Sequence, residues 1–320
     1  MERRASMKQL LSGLPVLVLF LAMLFSPKAV FDGAESGLLL WFQVVFPTLF
    51  PFMLVSGLML SGGGLAVISR IFGRLFSTLF ATSSNGSFAV IAGFLCGYPM
   101  GAKVSADLVR SGRISRDEGV YLLSFCNNTS PIFIMNFIVW KTFDREELMI
   151  PTLLILISVP AFLSLLFRRF YLNGRKKFPD LSEEKRDNAK LLNFEMLDSC
   201  LTDSFESIVK VGLYIIFFSI LIALPGKLSA GHPLLAGILP ALEMTNGILM
   251  IHKAAPDLTV SYPLILGLTS FGGFCSAAQT KCMLKAASLP ILPYIIQKLT
   301  AAAAASLLAI LYLTLFSPFH

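Results

Sequence analysis

Two polar clusters interrupt long apolar stretches of this chain, and both carry residue types able to hold a charged ligand. Cys126-Asn127-Asn128-Thr129-Ser130-Pro131 sets four polar side chains and a proline in the middle of an apolar segment. Each amide needs several hydrogen bonds or leaves buried polar atoms unsatisfied, so packing alone is a poor reason for two of them. A substrate- or ion-facing role is one reading, and hydrogen bonding between helices is the other. Pro240-Ala-Leu-Glu243-Met-Thr245-Asn246-Gly247 has the same character in the second half. Glu243 is the sole carboxylate well inside a second-half apolar run, which makes it a candidate for proton or cation coupling. A protonated, structural glutamate is the alternative.

Two further stretches break the backbone. In Gly93-Phe-Leu-Cys-Gly97-Tyr98-Pro99-Met-Gly101-Ala102-Lys103, Pro99 lacks an N–H and disfavours helix at Tyr98, while Gly97 and Gly101 permit unusual backbone angles. Phe271-Gly-Gly-Phe-Cys-Ser276-Ala277 interrupts an apolar run in the same way. Each break precedes a helix, predicted to start near Ala102 and near Cys275. A helix N-terminus offers unpaired N–H groups and about half a positive charge, a natural seat for an anion. Two such ends facing each other would suit one or two carboxylates; close helix packing through small residues is the other reading. Lys103, with Asp107 one turn on, either meets the substrate anion or forms an intrahelical pair. Gln279 and Thr280, just past the second break, either contact substrate or cap and pack.

The elements that position these residues follow from composition. A chain of 320 residues, 55% hydrophobic and 14% charged, with mean hydropathy +0.75, is a polytopic helical membrane protein. Its net charge of +7 sits in short loops beside apolar segments, so orientation with the basic loops inside accounts for it better than a nucleic-acid footprint. Five cysteines without CxxC spacing and three scattered histidines give no metal motif, and HExxH, GxSxG, Walker A and GxGxxG patterns do not occur. An enzyme is therefore not expected, nor a cofactor. The basic N-terminus followed by an apolar run resembles a signal peptide, but no Ala-x-Ala site closes it and an uncleaved first helix is expected.

The spacing predicts a first helix over 10–25 and an outer loop around Asp32 and Glu35, together residues 1–36. A first repeat covers 37–167, with Pro47 and Pro51 predicting a kink or unwinding. Residues 65–80 form an amphipathic helix with Arg70 and Arg74 on one face. Residues 85–110 are bracketed by arginines on both sides and read as a re-entrant broken hairpin. Spans over 119–140 and 150–167 follow. A cytoplasmic linker, 168–204, divides the chain; its Ser182-Glu-Glu-Lys-Arg-Asp187 reads as a solvated charged turn. A second repeat covers 205–320, with a span over 234–251 and a second broken hairpin over 261–287. Setting Gly97 against Gly272 pairs Gly101-Ala102 with Ser276-Ala277 and Arg110 with Lys285. By charge bias the two halves run in opposite directions, the inverted-repeat plan of many secondary transporters.

Residues 41–51 with their two prolines, Gly97-Tyr-Pro-Met-Gly-Ala-Lys103, Asn127-Asn-Thr-Ser-Pro131 and Glu243-Met-Thr-Asn-Gly247 together resemble the YlbJ-like sporulation integral membrane proteins, of the nucleoside-recognition or Gate-domain group. The similarity runs from about residue 37 to about 315. It implies an all-α fold with inverted repeats and re-entrant hairpins, resembling concentrative nucleoside transporters. It also implies an outer forespore membrane location and a role in moving dipicolinic acid toward the forespore. A substrate site is then expected from Gly97, Tyr98, Pro99, Gly101, Ala102, Lys103, Asn127, Asn128, Thr129, Ser130, Thr245, Asn246, Ser276 and Gln279, with Glu243 coupling ions. The expected partners are the lipid bilayer and a small anion such as dipicolinate, with a homo-oligomer left open. The rival readings are a nucleoside transporter of the same fold and a non-transporting membrane scaffold.

Overall fold

The computed structural model describes residues 2–172, 174–181, 193–225 and 233–316. The predicted charged turn at 182–187, the rest of the linker from 188 to 192, and His232 and His320 lie outside them. The described chain is helical, without strands, and six of its helical stretches are long and apolar enough to cross a membrane.

Helix α1 (Glu2–Phe25) is followed at once by α2 (Pro27–Leu40), a π-helical turn (Trp41–Val45) and α3 (Phe46–Ser61). Residues 27–36, expected as an outer loop, are thus the start of one long helical stretch running to Ser61. Gly33 and Gly37 do not break it; they let α2 lie directly on α10 (Phe194–Ala223), where a Cβ at either would meet the main chain of Ile220 or Ile216. The expected distortion at the prolines is the widened turn just before Pro47, where the missing N–H costs no regular α-helical bond. Trp41 fixes this segment by donating from Nε1 to the Ile208 carbonyl, 3.0 Å away on α10.

Helix α4 (Gly64–Phe80) is amphipathic as its arginines predict, with Val67, Ile71, Leu75 and Leu79 exposed on the apolar side. The next two helices, α5 (Gly86–Cys96) and α6 (Met100–Arg110), have 11 residues each, about 16 Å, and cannot span ~30 Å of hydrocarbon singly. They pack on each other, with the turn at Gly97–Pro99; at the far end Asn85 Nδ2 donates to the Arg113 carbonyl at 3.2 Å. The two helices therefore fold back on each other.

Helix α7 (Arg116–Cys126) stops where the two amides begin, and the chain restarts as α8 (Pro131–Phe133) and a π-helical stretch (Ile134–Phe143). Ser130 caps this restart by accepting from Phe133 N at 3.3 Å. Helix α9 (Met149–Tyr171) returns and α10 opens the second half.

The second half departs from the expected layout. Residues 234–251, predicted as one span, are two short helices, α11 (Pro233–Leu242) and α12 (Met244–Ala254), that pack on each other across Glu243. Gly247 comes so close to the Pro240 carbonyl that a Cβ would collide with it. Residues 261–287, predicted as the hairpin, are α13 (Leu258–Phe271) and α14 (Gly273–Leu284), which do not pack along each other. Helix α13 lies on α15 (Leu292–Phe316), whereas α14 lies against α10, α6 and α11. Gly272 and Gly273, at φ 85° and 79°, bend the chain between these two sets of neighbours. The folded-back pair of the second half is thus α11–α12, and α13–α14 is a broken helix like α7–α8.

Candidate functional site

The four breaks meet. Tyr98, in the α5–α6 turn, donates to the Ser270 carbonyl at 3.0 Å, and its ring fills the space beside Gly272. Gly273 lies against Ala241 and Met244 at the α11–α12 turn. Thr129 donates to the Thr269 carbonyl at 3.1 Å. Glycines allow this approach on the first-half side as well: a Cβ at Gly93 or Gly101 would strike the carbonyl oxygen of Cys126, and one at Gly97 would crowd Ser130. The small residues of the breaks therefore do serve close packing, and that packing brings the broken ends to one place.

Asn127 is the hub of the junction. Fully buried, it accepts at Oδ1 from Ala102 N at 3.3 Å and donates from Nδ2 to Thr280 Oγ1 at 2.9 Å and Tyr294 OH at 3.0 Å. One N–H at the start of α6, expected to face an anion, is thus occupied by this amide. The same side chain ties α6, α14 and α15 together, which is the interhelical hydrogen bonding weighed against a ligand role.

Sequence reasoning missed the charged member of the junction. Lys298, on α15, is 2% exposed. Its Nζ donates to the Asn127 carbonyl at 2.9 Å and to Asn128 Oδ1 at 3.1 Å, and lies 4.9 Å from the centroid of the Tyr98 ring. No carboxylate forms an ion pair with it among the described residues. An ammonium at this depth is costly unless hydrogen-bonded or paired, so its two amide acceptors and the ring face hold it in place. The signal was a lone charged residue inside an otherwise uncharged helix of 25 residues.

Other expected site residues are placed differently. Lys103 points away from the junction. It pairs with Asp107 at 3.0 Å, which also holds Arg110 at 3.3 Å, and it lines a separate cavity of about 260 Å³ with Cys200 and Asp203 of α10. The intrahelical pair is the reading that this geometry favours. Glu243 caps α12: Oε1 accepts from Thr245 N at 3.0 Å, and Oε2 from Asn246 N at 2.8 Å and Asn246 Nδ2 at 2.9 Å. A carboxylate so placed is stabilised by the helix dipole and by three N–H donors. The protein's own carboxyl group thus occupies that helix N-terminus. Asn246 also reaches Ser219 of α10 at 3.3 Å, and Thr245 is buried beside the cap. Ser276 donates to the Gly273 carbonyl at 3.1 Å within the break, and Gln279 contacts Cys275 Sγ at 3.3 Å. Pro99 and Tyr98 are joined by a cis peptide bond. No group of three or more His, Cys, Asp or Glu side chains is placed to hold a metal ion among the described residues.

This architecture defines a multi-pass helical membrane protein in which broken helices converge on a buried polar junction holding one lysine. The chain is 26% identical to the sporulation integral membrane protein YlbJ of Bacillus subtilis (strain 168), over 343 aligned residues covering 92% of this chain and 80% of that protein. That similarity supports the YlbJ-like resemblance carried by the motifs at 97–103, 127–131 and 243–247. No family model matches the chain, and no solved structure matches it.

Proposed function

We propose that this protein is a secondary transporter or facilitator of a small aromatic carboxylate, with dipicolinic acid moved toward the forespore as the leading candidate. The observation that carries this reading is Lys298: a buried ammonium at the meeting point of broken helices, held by neutral acceptors and stacked against an aromatic ring. A substrate carboxylate can replace Asn128 Oδ1 as the acceptor at Nζ and gain a charge-assisted hydrogen bond. The Tyr98 ring then lies beside the aromatic part of the ligand. Because the junction is closed in the described conformation, binding requires α5–α6 or α11–α12 to move from the broken spans that they touch.

An inverted pair of repeats is supported by the order of elements: a folded-back pair (α5–α6, α11–α12) followed by a broken span (α7–α8, α13–α14) in each half. The pairs also open toward opposite ends of the 116–143 span. The open end of α5–α6 lies by Arg113, whereas the C-terminus of α12 lies by Phe143, with His252 and Phe143 ring centroids 5.6 Å apart. Charge bias puts the arginine end inside. A location in the outer forespore membrane is part of the same proposal and follows the sporulation assignment of the relative.

The test in cells is to delete the gene and assay dipicolinate in spores and in mother cells of one culture. Empty spores with dipicolinate retained in the mother cell support the transport step; normal spores remove it and leave the nucleoside or scaffold readings.

A further inference from the structure

A second polar cavity lies away from the junction. Its volume is about 540 Å³, and it is bounded by the polar side of α4 and by the segment that follows α9. Arg70 and Arg74, one turn apart, line it together with Lys176 and Lys177, and Ser77 and Thr78 add hydroxyls from the next turn of α4. Only Lys177 has a carboxylate partner among the described residues, Asp180 at 3.9 Å. The other three cations form no ion pair there. Gly73 narrows the back of the cavity, where a Cβ would meet Ser84 at 3.1 Å.

We infer that this cavity binds a phosphate group. Two guanidinium forks, two ammonium groups and the Ser77 hydroxyl present donors and positive charge on one side, matching the tetrahedral, multiply charged oxygens of a phosphate; the Thr78 hydroxyl is spent on the Arg74 carbonyl at 2.8 Å. The position of α4 favours an acidic phospholipid headgroup as the source. Turned away from the cavity, Leu75 and Leu79 are 59% and 52% exposed, and Ile71, 63% exposed, borders them, so the helix presents apolar residues to acyl chains while its basic side faces the cavity. The basic stretch Arg168-Arg169 at the end of α9 places the same face on the inner leaflet, where anionic headgroups neutralise it. This site is independent of the transport reading, since none of its residues touches the junction.

The test is to titrate the purified full chain in a neutral detergent with short-chain phosphatidylglycerol, short-chain phosphatidylcholine and inorganic phosphate. Apparent affinity is read by thermophoresis. The expected result is saturable phosphatidylglycerol binding at least about tenfold tighter than phosphatidylcholine binding, weakened by about tenfold or more in R70Q/R74Q. Lys141→Gln, far from the cavity, keeps the wild-type affinity. Binding of inorganic phosphate at similar concentration, lost in R70Q/R74Q, supports the site and assigns it to a free phosphate. Equal affinity for the two lipids without phosphate binding overturns the inference. So does unchanged affinity in both R70Q/R74Q and K176Q/K177Q, with monodisperse protein in each case.

Discussion

Lys298 Nζ lies 2.9 Å from the main-chain carbonyl of Asn127, a residue 171 positions earlier in the chain. The contact joins α15 to the end of α7 at the point where α7 loses its helix, so the carbonyl that accepts is one that the broken helix leaves free. A helix break and a buried charge thus satisfy each other. That arrangement is stable without ligand and open to competition from a stronger acceptor.

Removing the charge while keeping the bulk separates these roles. In Lys298→Met, uptake of dipicolinate is expected to fall on the order of 100-fold, the equivalent of one or two lost charge-assisted hydrogen bonds. Membrane levels, read by immunoblot of the membrane fraction, should stay near wild type. Lys298→Arg keeps the charge but not the compact ammonium geometry and should recover only part of the activity.

Lys103 provides the contrast. Its partner is Asp107 and its cavity is bounded by α10, so Lys103→Met is expected to keep uptake within about threefold of wild type. Uptake as low as in Lys298→Met would return Lys103 to the substrate path.

The breaks at 97–103 and 127–131 were legible because proline, glycine and clustered amides have no use inside a regular apolar helix. Whether the chain folds back at a break or bends onward was not legible. Gly97 and Gly272 look alike as letters, yet one sits in a packed pair and the other between helices with different neighbours. The folded-back pair of the second half turns at Glu243, which carries no glycine signature; its side chain supplies the cap instead. Lys298 was hidden for a related reason. One cation among the apolar residues of α15 barely lowers its mean hydropathy, and its acceptors come from residues remote in sequence.

Glu243 tests the difference between a cap and a coupling group. Glu243→Gln turns one carboxyl acceptor at the start of α12 into a donor facing N–H groups, at a cost of about 1–2 kcal/mol. A lower thermal midpoint is expected, with the pH profile of the residual uptake keeping the wild-type shape. A flattened profile at unchanged stability would make Glu243 the coupling residue.

Close backbone approach at Gly101 has a separate signature. A methyl group there strikes the Cys126 carbonyl, whereas at Gly237 nothing lies within 4 Å. Gly101→Ala should destabilise the protein by about 1–3 kcal/mol and separate α6 from α7, and Gly237→Ala should be close to neutral. Thermal unfolding of the two purified variants in one detergent makes the comparison.

The most direct measurement is uptake of labelled dipicolinate into proteoliposomes holding the purified full chain, with Lys298→Met and Lys103→Met reconstituted in parallel. Saturable uptake that Lys298→Met abolishes and Lys103→Met retains is the predicted result. No uptake above protein-free vesicles, or equal uptake with and without the Lys298 ammonium, would contradict the assignment of the junction as the carboxylate site.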